Sequence, residues 1–571
     1  MEYRGIAVSR GVAIAPVYLY RPWTPQVEEA LIELADAESA LADYYAARQE
    51  AEAELEAICS RMEAEGEADK AKIFAAHREI LFDDGLCEEV EDAIRDELYH
   101  PAYAVESVYA AAALMLSKSK DKLISERSVD IVDVKNRLLR CLLHEKACSL
   151  SELERPVVVV AHDLLPSDTA TLDRKNVAGI VTEVGGVTSH SAIIAKSYGI
   201  PAVLGIPGIL DALYDGEEVV LDALEGRLLT GVSPEETDAY RAKKEAFLAQ
   251  QAVVSRFLDR PGLTKDGRSV KIGLNIGSAK AEETDRLCHV DYVGLFRTEF
   301  LYMGSDHLPT EEEQYEAYRT VLEAGEGKEI IIRTLDIGGD KTLPYMELPQ
   351  EQNPFLGNRA LRLCLANEAL FQTQLRALLR AAVHGKLGIM FPMVASMEDI
   401  YRAKEALSKA RDSLAADGVE AGEAKVGIMI EIPAVALIAD AVAKEVDFVS
   451  VGTNDLCQYL TATDRLNSAV TAYYQSYHPA MFRLMGYAAE QMNAAGKEIS
   501  VCGELGGDPL AAPALVGLGI SKLSMNVSSV AAVKKVLSEH TMAEMAALSA
   551  AVRRAESAGQ VESLLKEFAQ E

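Results

Sequence analysis

The chain is short of positive charge, of paired cysteines and of long apolar runs, and each shortage removes a class of function. Its 57 Lys and Arg stand against 89 Asp and Glu, a net charge of −32. Nucleic-acid binding needs a basic footprint, so this balance argues against it. No stretch is long and apolar enough to span a bilayer, and Met1-Glu2-Tyr3-Arg4 leads into no secretory hydrophobic segment. No membrane role is expected. The eight cysteines are scattered, with no C-x-x-C pair. That argues for a reducing cytoplasm and against a zinc site or a disulfide framework. A G-x-x-x-x-G-K-[ST] loop is missing, so ATP is not an obvious phosphoryl donor. Internal repeats and low-complexity tracts are absent too.

What is present is a long, ordinary globular composition with an uneven charge. The 571 residues suggest about three or four domains. Between Glu28 and His100 there are 23 Asp and Glu against 6 Lys and Arg, a net of −17. Such a stretch is either a solvated helical surface or a docking face for a basic partner, because opposite fields speed encounter.

The apolar pattern divides the chain. Gly5 to Tyr20 reads as short strands. Leu31, Leu34, Leu41, Tyr45, Leu55, Ile58 and Met62 then recur at three- and four-residue steps or their multiples. Val105, Val108, Ala112 and Leu116 continue the pattern, as do Ile131, Val134, Leu138 and Leu142, so a helical bundle is expected. At Arg155 the texture turns to β-branched runs at 156–160, 177–182 and 200–204, with a hairpin at 218–222 and 227–230. The bundle therefore looks inserted into a small α/β domain. We expect that domain at 1–24 and 146–232, the insertion at 25–145, and a linker helix at 233–259. From 260 to 571, eight buried-type strands alternate with helices, the pattern of a (β/α)8 TIM barrel. The fold class is thus α/β multidomain.

Two places carry chemistry. The first is Gly185-Gly186-Val187-Thr188-Ser189-His190, followed by a helical run from Ser191 to Lys196. Paired glycines allow close backbone approach. Thr188 and Ser189 are good caps, and a helix start offers free N–H groups to an anion. A phosphoryl group on His190 would suit that setting, and a neutral imidazole can accept one and pass it on. The second place is the set of strand ends, where such barrels keep their active sites. They carry Arg297, then Arg333 to Asp336, Glu431, Asn454-Asp455 and Cys502. Arginine forks bind phosphate or carboxylate oxygens bidentately. Glu431 and Asp455 are hard ligands able to hold one Mg²⁺, Asn454 can donate to an anion, and Cys502 can carry a proton.

These segments resemble Enzyme I of the bacterial phosphotransferase system, the phosphoenolpyruvate–protein phosphotransferases. The matching stretches are 185–195, 294–300, 332–341, 353–362, 391–393, 431–434, 452–456 and 502–508, in the family's order and spacing. The resemblance implies that His190 takes the phosphoryl group of phosphoenolpyruvate on Nε2, oriented by Thr169, and releases pyruvate. It implies substrate binding by Arg297, Arg333, Asn454, Asp455 and Arg465, with help from Arg359. It implies Mg²⁺ on Glu431 and Asp455, and protonation of the enolate by Cys502. The carrier protein HPr would dock on the inserted bundle as the first step of sugar uptake, the barrel would form a homodimer, and the 233–258 linker would let the histidine domain swivel. Departures are Leu466 where glycine is common, Lys196 where arginine is, and Asn358 where an aromatic is. Rival readings are an enzyme like pyruvate phosphate dikinase or phosphoenolpyruvate synthase, for whose large ATP-binding domain there is no room, and a metal-dependent oxo-acid lyase, which leaves His190 unused. A silent regulatory paralogue is disfavoured by the retained histidine, arginines, carboxylates and cysteine.

Overall fold

The computed structural model describes the chain apart from residues 22–26, 65–67, 119–121, 146–149, 151–152, 154, 165–171, 173–174, 187–188, 306, 339–342, 344, 347–350 and 571. It falls into two compact units, Met1–Ala249 and Gln250–Glu571.

In the first unit, β1 (Glu2–Arg4), β2 (Ile6–Ser9) and β3 (Val12–Tyr20) share one eight-stranded sheet with β4 (Val157–Ala161), β5 (Val177–Thr182), β6 (Ala202–Leu204), β7 (Glu218–Asp222) and β8 (Arg227–Thr230). The order is β1-β8-β7-β3-β4-β5-β6-β2. Strands β3 to β6 run parallel, while β7 and β8 form the antiparallel hairpin. The all-valine run of β4 is fully buried, as a strand covered on both faces must be. The helices Ala37–Ala64, Ala68–Leu81, Asp84–Arg95, Pro101–Ser117 and Lys122–Leu142 lie between β3 and β4 in the chain, so they interrupt one sheet. They have their own core around Leu41, Leu55, Val105, Val134 and Leu138. Leu31 and Leu34, which share the apolar periodicity, are instead exposed, because the helix begins only at Ala37 and Leu31 pairs with Tyr99 as an isolated bridge.

The second unit is a closed barrel of eight parallel strands: β9 (Lys271–Ile276), β10 (Tyr292–Arg297), β11 (Glu329–Arg333), β12 (Lys386–Phe391), β13 (Ala424–Ile430), β14 (Phe448–Val451), β15 (Glu498–Val501) and β16 (Lys522–Met525), with β16 returning to β9. All eight expected strands are present. Tyr292, Leu295, Ile331, Met390, Met429, Phe448 and Cys502 pack as one buried cluster. The barrel is therefore filled with side chains and is no pore. The helix Pro234–Ser255 spans the division between the units. No helix among the described residues is long and apolar enough to cross a membrane.

Candidate active site

The His190 segment is a strand–helix–strand crossover. Strand β5 ends at Thr182, the helix His190–Tyr198 follows, and β6 runs parallel to β5. Gly185 has φ +106°, a conformation other residues rarely adopt. Ser189 caps the helix: its hydroxyl accepts from Ala192 N–H at 3.3 Å and donates to the Gly186 carbonyl at 2.9 Å. Ser191 donates to Asp163 at 2.8 Å, which ties the first turn to the loop after β4. Gly199, at φ 65°, ends the helix in a left-handed cap. Helix-capping at Ser189 and a start at His190 agree with the sequence reading. Thr169 and Thr188 lie outside the described residues, as does the His190 side chain.

At the barrel mouth the strand ends bring most of the expected residues together. Arg333, at the end of β11, is buried, with one nitrogen 2.7 Å from Glu299 and the other 2.8 Å from Asp336. Arg359 reaches the other oxygen of Asp336 at 2.8 Å and lies 3.5 Å from Asp455. Arg465 approaches the second Asp455 oxygen at 3.8 Å. Glu299, Arg333, Asp336, Arg359, Asp455 and Arg465 thus form one chain of alternating charge, tight at the Glu299 end and loose at Asp455. Arg297 is half-buried at the end of β10. Asn454 accepts from Glu504 N–H through its amide oxygen, which leaves the amide nitrogen as the end able to donate to an anion. Leu466 is 62% exposed and does not crowd the turn that carries Arg465.

Burial shapes the electrostatics. Burial works against the charge of Arg333 and of Arg359, but the neighbouring carboxylates, Asp336 foremost, outweigh it and hold both guanidiniums charged. Glu431 is fully buried and is pushed up to about 8, first by burial and then by Asp455 and Asp336. Its Oε1 accepts the Met393 N–H at 2.5 Å, while its Oε2 has no hydrogen-bond partner. Asp455 Oδ1 is also buried without one. Two carboxylate oxygens without a hydrogen bond, just beyond the ends of neighbouring strands β13 and β14, fit a divalent cation. Cys502 is buried, and its thiol is pushed up to about 11 by burial. At neutral pH it is a protonated group and can donate.

The sequence assigns no role to Glu299 or Asp336, yet both are buried in the charge chain of the mouth. Asp336 contacts two arginines 26 residues apart in the chain. The available signal was the placement of an acid within three residues of each strand-end arginine. The backbone donor at Met393, in a left-handed conformation (φ 56°), left no sequence signal.

A barrel whose mouth gathers arginines, a cation-ready carboxylate pair and a buried thiol, in a chain that also carries a histidine-led helix, fits a class of enzymes that use phosphoenolpyruvate. Three family descriptions match: the PEP-binding domain of PEP-utilising enzymes over residues 251–542, the N-terminal region over 4–127 and the mobile domain over 153–226. A phosphoenolpyruvate-protein phosphotransferase of Bacillus sp. (strain S) is 42% identical over 98% of this chain and 97% of its own. Another, of Listeria innocua, is 42% identical over the whole of both chains. A solution structure of an Enzyme I protein is 37% identical over 43% of this chain and 99% of that one, with a TM-score of 0.40. The chain belongs to the phosphoenolpyruvate-protein phosphotransferase family.

Proposed function

We propose that this enzyme moves the phosphoryl group of phosphoenolpyruvate to His190, releasing pyruvate, and then to the histidine of the small carrier protein HPr. A lone pair of the His190 imidazole attacks phosphorus as the bond from phosphorus to the enol oxygen breaks. The electron pair stays on that oxygen as an enolate. The Cys502 thiol then gives its proton to the terminal carbon, yielding pyruvate, and the thiolate recovers a proton from solvent. Arg297, Arg333, Arg359 and Arg465, with Asn454, hold the phosphate and carboxylate, where positioning and charge neutralisation supply most of the acceleration. Glu431 and Asp455 would hold Mg²⁺, which would add Lewis-acid neutralisation of the substrate oxygens.

The single observation that carries this reading is the pair of buried carboxylate oxygens without a hydrogen bond, Glu431 Oε2 and Asp455 Oδ1, the latter 3.5 Å from the Arg359 guanidinium. That is a site for a metal-bound anion. The acidic helical stretch at 25–145 suits the docking of a basic carrier, a homodimer through the barrel follows the family, and a cytoplasmic location suits scattered cysteines with no C-x-x-C pair.

The test is intact-protein mass after incubation with phosphoenolpyruvate and Mg²⁺, without ATP or AMP, in the parent and in His190→Ala. One acid-labile phosphoryl group in the parent only, with pyruvate released, is expected. No added mass in the parent would reject the reading, and labelling that survives in His190→Ala would reject the histidine. HPr dephosphorylating the labelled protein is the expected second step.

A further inference from the structure

We infer that Asp336 is a positioning residue that sets the spacing of Arg333 and Arg359, so that the two guanidiniums act as one clamp on the phosphate of the substrate. The inference deepens the proposed function and rests on it.

Asp336 is 2% exposed and gives one oxygen to each arginine at 2.8 Å. Two cations so close repel unless an anion lies between them, and a planar carboxylate fixes both distance and angle. The backbone around it is built to hold that bridge. Two residues on, Gly338 has φ +107°, and a Cβ there would lie 2.6 Å from Arg359 Cβ and 2.9 Å from its Cα. The two loops therefore pack main chain to main chain. Ala360 N–H donates to the Ile337 carbonyl at 3.0 Å. Ala360 itself is held at φ 53° and ψ −126°, a conformation alanine avoids, and such strain persists only where the surroundings over-determine the backbone. Asp336–Arg359 and Ile337–Ala360 are the two staples that do so. Beyond Arg359 the contacts are looser, 3.4 Å to the Tyr459 hydroxyl and 3.5 Å to Asp455. Asp336 thus anchors the charge chain at its middle, and the substrate end is left free to exchange partners.

There is an opposite possibility with the opposite sign. A carboxylate between two arginines could be a place-holder that competes with the incoming phosphate. Removing its charge would then tighten substrate binding instead of weakening it.

The test is the rate of acid-labile phosphorylation of the full chain at increasing phosphoenolpyruvate, read as a half-saturating concentration and a maximal rate. Asp336→Asn should raise the half-saturating concentration at least about ten-fold while the maximal rate falls less, the pattern of lost ground-state binding. Asp336→Glu should recover part of the loss. Gly338→Ala, which pushes on the same staple from the backbone, should move the half-saturating concentration in the same direction even if Asp336→Asn fails to fold. Glu329→Gln, at the far end of the barrel, is the control for general loosening and should lower the melting temperature without moving half-saturation. A half-saturating concentration within about two-fold of the parent in Asp336→Asn or Gly338→Ala, or one below the parent, overturns the inference, as does an equal shift in Glu329→Gln. Failure of the parent itself to become phosphorylated would instead sink the proposed function.

Discussion

The two ends of the barrel use the same residue types to opposite effect. At the strand N-termini, Lys522 is 3% exposed and bonds Glu329 at 2.7 Å and Glu498 at 2.8 Å, with Lys425 2.7 Å from Glu329. The Lys522 ammonium also lies 5.2 Å from the Tyr292 ring centre. The floor is thus a closed set of charges. At the mouth the set is left more open: among the described residues, Arg333 Nε, Arg359 Nε, Glu431 Oε2 and Asp455 Oδ1 are buried without hydrogen-bond partners. Burying a polar group without a partner costs about 1–3 kcal/mol. Several such groups at one mouth are a standing cost that a bound ligand would relieve. Satisfied charge supports the fold, and unsatisfied charge awaits a ligand.

That contrast can be broken most forcefully at the mouth. Arg333→Met should lower the second-order rate of phosphorylation from phosphoenolpyruvate by at least about 10³-fold, because a guanidinium facing the developing charge is lost. Stopped-flow or quench kinetics would measure it, and a loss of less than ten-fold would break the comparison. At the floor, Lys522→Met should cost about 3 kcal/mol of stability by stranding Glu329 and Glu498, with half-saturation by phosphoenolpyruvate unchanged. Calorimetry and kinetics on the same sample decide whether stability and binding separate as expected.

Cys502→Ala sharpens the assignment inside the mouth. It should slow pyruvate release by about 10²-fold, the size of one general-acid contribution, with substrate affinity little changed. Burial keeps the thiol protonated up to about pH 11, so its donor role should persist across the neutral range and fail only in strong alkali.

The smallest expected effect is a pH dependence at the floor. Burial would raise the Glu329 carboxyl, but Lys425 and Lys522 more than offset this and hold it below the usual carboxylate range. A depressed folded value means stability that is present above the unfolded value and lost as pH falls. The barrel should therefore lose stability below about pH 4.5, and Glu329→Gln should flatten that limb of the melting profile. An unchanged acid limb in the variant would mean that Lys522 draws its support from Glu498 alone.

Much of this was legible in the sequence. The eight barrel strands are β-branched or apolar runs with polar, arginine- or acid-bearing ends, and that period and punctuation survive any packing detail. The helix at His190 was legible from Ser189 and the helical run that follows it, since a cap acts locally. The exposure of Leu31 and Leu34 was not legible, because periodicity alone does not tell where a helix begins. Asp336 as a bridge and Met393 as a donor were not legible either, since each depends on a partner loop remote in the chain.

By itself, then, the sequence determined the residue types, their order and the strand ends that carry them, because local propensity and hydrophobic period are written residue by residue. Only the tertiary structure decided which charges are closed into pairs and which are left open. Pairing and burial depend on distances between segments that the chain brings together only when the barrel shuts.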